Sequence, residues 1–172
     1  MRELFTIDKK NYNPNGSVGK RPSVRGIIVK NNCIAMMHSL KYDYYKLPGG
    51  GIEAGETHEA TLIREVREES GLIVKADSIK AFGYVRRIEK GQFEDIFIQD
   101  NYYYLCEAEE EPIEQELDDY EAEEGFVLEF VEPQYAIDVN EHANHKEKEE
   151  VAIFIGMLER ENKVLRLLIN EM

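Results

Sequence analysis

No apolar run in the 172-residue chain approaches the roughly twenty residues needed to cross a bilayer. The start, Met1-Arg2-Glu3-Leu4-Phe5, also lacks the apolar stretch of a secretion signal. Cysteine is scarce. The two present, Cys33 and Cys106, sit in apolar, strand-like runs, which is not the pattern of a disulfide framework, so a soluble cytoplasmic protein is expected. Neither an internal repeat nor a Pro/Gly-rich linker interrupts the sequence, and its length suits one domain over residues 1–172.

Positive charge is also in short supply. The 21 Lys and Arg face 35 Asp and Glu, leaving a formal net charge of -14. The imbalance is concentrated between Glu107 and Glu124, where eleven acidic residues occur without a basic one. Such a surface disfavours long nucleic acid, which is held chiefly by basic side chains, but not a small phosphorylated substrate that brings its own cation. By itself the block reads as a solvated connection between two strands.

What the chain does have is a set of glutamates with a fixed spacing. Glu65, Glu68 and Glu69 stand at i, i+3 and i+4, so in a helix they emerge from one side and repel. Each like-charge pair costs a helix roughly 0.2–0.5 kcal/mol, and only Arg64 and Arg67 are near enough to compensate. A hard divalent cation, which takes carboxylate oxygens and shares them with substrate phosphates, would relieve the repulsion. The helix is well signalled. Thr57 can cap its start, Glu59 suits its first turn, and Gly71 follows its end about fourteen residues later. Ala60, Ile63, Val66 and Ser70, with Leu62 beside them, are expected to form its packing face. The preceding Pro48-Gly49-Gly50-Gly51 gives a loop whose backbone can approach a ligand closely.

Gly50, Glu56, Arg64-Glu65, apolar Val66, Glu68-Glu69, Gly71 and apolar Leu72 fall at the intervals of GX5EX7REUXEEXGU. This run resembles, at every position, the signature of the Nudix hydrolases, a MutT-like family. The resemblance implies an α/β fold, an α/β/α sandwich with a central mixed β-sheet, and hydrolysis of nucleoside diphosphates linked to another moiety. It further implies Mg2+ or Mn2+ held by Glu65, Glu68 and Glu69 with the Gly50 carbonyl, Arg64 orienting the glutamates, and Glu56 bracing the loop behind them. Glu68 or Glu69 would act as base, or else one further carboxylate from the acidic stretch, for which Glu121, Glu123 and Glu124 are candidates. Many members of the family are homodimers. A non-catalytic, nucleotide-binding regulatory domain is the alternative, and an interaction protein using its acidic segment is a third reading.

Outside that run the substrate is poorly marked. A base could stack on Tyr42, Tyr44, Tyr45, Phe82 or Tyr84, and phosphates could meet Arg25, Lys46, Arg86 or Arg87. His142 and His145 would need a third ligand to hold a metal. No proline lies between the box and Pro112, so the downstream proline of many ADP-ribose pyrophosphatases is missing, as is the SQPWPFPxS array of NADH pyrophosphatases. Nucleoside triphosphates, including oxidised ones, and other nucleotide conjugates remain. Elsewhere, Val24–Val29 and Cys33–Met37 read as a hairpin about Asn31-Asn32, and Leu72–Val74 as a strand. Ala81–Arg86 and a strand through Phe97–Leu105 form a second hairpin, followed by a strand at Phe126–Val131, a short helix from Glu132-Pro133 through Ile137, and an amphipathic helix over about 147–169.

Overall fold

The structure is a computed structural model that describes residues 1–142 and 152–171. In chain order its elements are β1 (Glu3–Asp8), β2 (Val18–Lys20), β3 (Ser23–Ile27), β4 (Val29–Lys30), β5 (Cys33–Ser39), β6 (Tyr44–Lys46), α1 (His58–Ser70), β7 (Lys80–Glu89), β8 (Ile96–Leu105), α2 (Asp119–Glu124), β9 (Phe126–Val131), α3 (Pro133–Asn140) and α4 (Ala152–Glu171). They form an α/β/α sandwich. Its mixed sheet has β7 and β8 as an antiparallel pair at the centre, β1 parallel to β7, and β2 and β3 both parallel to β8. A second, antiparallel sheet centres on β5, paired with β9 along its length and with β4 and β6 at its two ends.

Strand alternation divides the core between the two helical layers. From β3 and β5, Val24 and Ala35 join Leu62 and Val66 of α1, together with Ile28, Leu72, Val74 and Cys106. Their neighbours Ile27, Ile34 and Met36 instead meet Ala136 and Ile137 of α3 and Val164, Leu165 and Leu168 of α4. Gly26 is what lets α1 lie close, since a Cβ there would stand 2.9 Å from a Val66 methyl.

Several sequence expectations are corrected. The first hairpin shrinks to the two-residue pairing of β4 with β5, because the chain leaves the mixed sheet after Ile27, and β3 pairs in parallel with Ser23 opposite Asn101 through Ile27 opposite Leu105. Leu72–Val74 is no strand, having one isolated bridge from Val74 to Ala108. Within the acidic stretch a short helix, α2, replaces the expected continuous loop. On α1, Ala60 is exposed and Ile63 half-buried, so the packing face is Thr61, Leu62, Val66 and Ser70. The second hairpin and the strand at Phe126–Val131 stand as expected, and α3 continues past Ile137 to Asn140. His145, Val151 and the start of the helix expected over 147–169 lie outside the described residues. No helix among the described residues is long and apolar enough to cross a membrane.

Candidate active site

Helix α1 presents the glutamates because both of its ends are fixed. Thr57 Oγ1 accepts the Ala60 N–H at 3.1 Å, and Gly71 takes φ +74° at the other end while its N–H donates to the Arg67 carbonyl. Only glycine adopts that left-handed cap without strain. In front of the helix the Leu47–Gly51 loop is pinned from several sides. Val24 N–H donates to the Gly50 carbonyl and Gly26 N–H to the Pro48 carbonyl, both at 2.9 Å, and the Arg25 guanidinium donates to the Gly49 carbonyl. From the far layer, fully buried Glu161 accepts the Leu47 N–H at 2.8 Å while held by Arg160 and the Tyr103 hydroxyl. Sequence reasoning missed Glu161, since nothing local marks an α4 glutamate as a partner for a loop 114 positions away.

Around α1 the side chains form a graded set. Arg64 grips Glu56 with two parallel bonds of 2.8 and 2.9 Å and reaches Glu65 at 2.6 Å and Glu68 at 3.2 Å. Glu56 also accepts from the Thr61 hydroxyl and the Glu53 N–H, and these bonds, the Arg64 ones foremost, bring its carboxyl down to about 2. Glu65 packs against the Gly50 backbone, where a Cβ would collide with its carboxylate. Burial pushes the Glu65 carboxyl above the ordinary range despite Arg64. Glu69 is the deepest, its side chain 5% exposed, with one oxygen on Lys46 Nζ at 2.7 Å and the other on the Gly49 N–H at 2.8 Å. Burial raises its carboxyl to about 7 even with the Lys46 ammonium opposing the shift. Glu68 is the most open, at 33% exposure against 17% for Glu65.

Glu65, Glu68, Glu69 and Arg64 line a cleft of about 380 Å³ with Arg21, Gly51, Ile52, Glu53, Glu116, Asp118 and Glu121. Of the three candidates for an added carboxylate, the structure brings Glu121 to this cleft. As the third residue of α2 it closes a capping box with Asp118, which turns it inward beside Lys46 at 3.4 Å. Glu123 points outward to Lys41, and buried Glu124 accepts from the hydroxyls of Ser39 and Tyr44. Glu116 and Asp118 were missed, because a run of eleven acids gives no local reason to choose among them. The D-x-x-E capping spacing from Asp118 to Glu121 was the one usable signal.

The expected substrate contacts fare differently. Lys46 is no phosphate contact in this arrangement. Its side chain is 8% exposed, and the ammonium lies between Glu69 and Glu121 and faces the Phe126 ring at 4.4 Å. Tyr45 belongs to the core, stacked on His38 and bonded to Glu129 at 2.7 Å. Arg86 is locked on Asp100 by bonds of 2.8 and 2.9 Å, and Arg87 on Glu89. Arg25 lies beneath the loop, its buried Nε without a partner among the described residues. His142 is exposed, with its backbone N–H on the Val139 carbonyl.

Seven acids and two arginines line this cleft. That donor type and number suit a hard divalent cation rather than a soft or imidazole-seeking one. Among the described residues, no three Asp, Glu, His or Cys side chains already converge as a cage, since Arg64 draws Glu65 and Glu68 to itself and Lys46 draws Glu69.

A family model described as the NUDIX domain matches residues 19–152. The ADP-ribose pyrophosphatase of Methanocaldococcus jannaschii is 42% identical over 60 residues, 33% of this chain and 36% of that protein. The chain thus spans about a third of the length of that curated relative. A NUDIX hydrolase from Nitrosomonas europaea superposes with a TM-score of 0.56 at 13% identity, covering 80% of this chain and 87% of that one. The MutT NUDIX hydrolase from Burkholderia pseudomallei gives 0.52 at 18% identity, covering 80% and 97%. At such identities these two likenesses concern the fold alone.

Proposed function

The chain belongs to the NUDIX family, and we propose that it is a divalent-metal-dependent pyrophosphohydrolase cleaving the phosphoric anhydride of a nucleoside diphosphate linked to another moiety. The observation that carries this reading is the acidic cleft itself, which Glu65, Glu68, Glu69 and Glu121 line together beside an Arg64–Glu56 brace. Glu65, Glu68, Glu69 and Glu121 would hold Mg2+ or Mn2+. Bound there, the ion would supply neutralisation of charge building on the phosphate oxygens and a lowered pKa for attacking water.

The protein groups divide the remaining work. Arg64 fixes Glu65 and Glu68 relative to each other and to Glu56, so the carboxylates are arranged before substrate arrives. Glu69 ties the helix to the Gly49 N–H and thereby places the loop over the cleft. With both oxygens engaged and almost no exposure, Glu69 is poorly placed to take a proton. Glu68, the most exposed of the three, is assigned as the general base that receives the proton of the attacking water. No covalent enzyme intermediate is required.

The ADP-ribose pyrophosphatase name belongs to a relative aligned over 60 residues, and this chain lacks the downstream proline of many such enzymes, so the substrate panel must be broad. Nucleoside triphosphates, dinucleoside polyphosphates and nucleotide sugars, incubated with Mg2+ or Mn2+ and separated by chromatography to follow release of a nucleoside monophosphate, test the proposal. Release that chelation abolishes is expected. No release from any member of the panel would refute it.

A further inference from the structure

The acidic cleft adjoins a second one of opposite character. Arg21 lines both, and the second, about 470 Å³, lies where the end of β2 faces the turn joining β7 to β8. Its walls include Lys20, Arg21, Lys90, Phe93, Glu94 and Phe97. In a chain with a net charge of -14, Lys20, Arg21 and Lys90 make no ion pair among the described residues. Of the two lining acids, Glu89 is already held by Lys9 at 2.6 Å and by Arg87, so the three cations are opposed by Glu94 and, at Lys90, by nearby Asp95. Phe93 is 88% exposed, more than any other large apolar side chain among the described residues. Phe97 is half-buried beside it.

The two clefts are joined physically as well. A Cβ placed on Gly51, at the rim of the acidic cleft, would meet the Arg21 guanidinium at 3.4–3.9 Å, so this cation lies against the loop that carries Gly50. A ligand running from one cleft to the other passes Arg21 at the boundary. The chemistry changes along that path from carboxylates suited to a metal, through a guanidinium suited to phosphate, to ammonium groups beside exposed aromatic faces. An aromatic ring carrying an anionic group matches the second cleft, and a sugar without a π-face does not.

We propose that the cleft of Lys20, Arg21, Lys90, Phe93 and Phe97 is the nucleoside monophosphate subsite, with the base against Phe93 and Phe97 and its phosphate at the cations. This rests on the proposed function only in placing the anhydride at the acidic cleft. The cleft therefore selects substrates by a base on this side of the anhydride, whatever moiety lies on the other.

Binding without turnover tests it. Calorimetry in EDTA would compare the monophosphates of adenosine, guanosine, cytidine and uridine with ribose 5-phosphate on the whole chain. At least one nucleotide is expected to bind tenfold more tightly than ribose 5-phosphate. Phe93→Ala should weaken that nucleotide at least tenfold and leave ribose 5-phosphate unchanged. Lys90→Ala should weaken both, and Lys80→Ala, which removes an exposed lysine outside the cleft, should weaken neither. Equal binding of nucleotide and sugar phosphate, or nucleotide binding by Phe93→Ala equal to wild type, overturns the subsite. Hydrolysis with an unchanged KM in Phe93→Ala overturns it too while leaving the reaction in place. Nucleotide binding that follows the expected pattern in a chain that hydrolyses nothing supports the subsite and refutes the hydrolase reading alone.

Discussion

Replacing Lys46 with methionine separates two roles that a lysine beside a phosphate-handling loop could have. In the structure its ammonium is enclosed, with the side chains of Lys46, Glu69 and Glu121 at 8%, 5% and 6% exposure and Nζ at 2.7 and 3.4 Å from the two carboxylates. Removing one partner from a buried ion pair leaves uncompensated charge and costs about 3–5 kcal/mol. The 4.4 Å approach to Phe126 is lost as well. For a domain of this size each kcal/mol lowers Tm by roughly 2–4 °C, so the Lys46→Met melting temperature should fall by about 6–20 °C. Urea unfolding followed by circular dichroism gives the free energy directly. Adding Glu69→Gln to Lys46→Met should restore part of the loss, because the stranded charge goes with it. A Lys46→Met protein that keeps its stability within about 1 kcal/mol, the range of surface ion pairs, and shows a raised KM instead, would refute the buried-counterion account and return Lys46 to phosphate binding.

Gly50→Ala places a methyl against the Glu65 carboxylate, so turnover should fall by roughly 100-fold, the cost of about 1 Å of misplacement, with KM less affected. Wild-type turnover in that variant would show that Glu65 has no fixed place on the loop. Glu56 has its carboxyl lowered to about 2 by Arg64, so its contribution to stability is present above its unfolded value near 4.5 and fades as the pH falls toward 2. The difference in unfolding free energy between wild type and Glu56→Gln should therefore shrink across that window, and a constant difference would contradict the pairing. Burial pushes the Cys106 thiol up to about 12, whereas Cys33 is half-buried at a strand start. At pH 8 a thiol reagent should titrate one cysteine in the native protein and both in denaturant, and rapid native labelling of Cys106 would contradict its burial.

The parts legible in sequence were those that local rules specify. Helix α1 was announced by its caps and by the fixed spacing of its glutamates, and it spans the expected residues to within one position. Parallel partners were not legible. β1, β2 and β3 are positioned by strands more than 70 residues away, and no pattern in Ser23–Ile27 says that its neighbour is Ser23's partner Asn101 rather than β5. The same distance problem hid the partners of the basic and aromatic candidates. A sequence shows that Lys46 is charged and Tyr45 aromatic, but their partners Glu121 and Glu129 lie 75 and 84 positions away, and those partners decide that both side chains face protein. Glu121 differs from Glu123 and Glu124 only by its place at the third position of a capped six-residue helix, which turns it toward α1 while Glu123 meets solvent.

Metal-dependent hydrolysis at this cleft is probed most directly by Glu68→Gln. The substitution keeps the size of the side chain, removes its charge and basicity, and affects a group 33% exposed, so the fold should survive as judged by an unchanged unfolding transition. Steady-state turnover with Mg2+, on whichever nucleotide the wild-type protein cleaves, should drop by roughly 10²–10⁴-fold, the usual worth of a positioned general base. A folded Glu68→Gln protein that turns over at the wild-type rate would contradict the account.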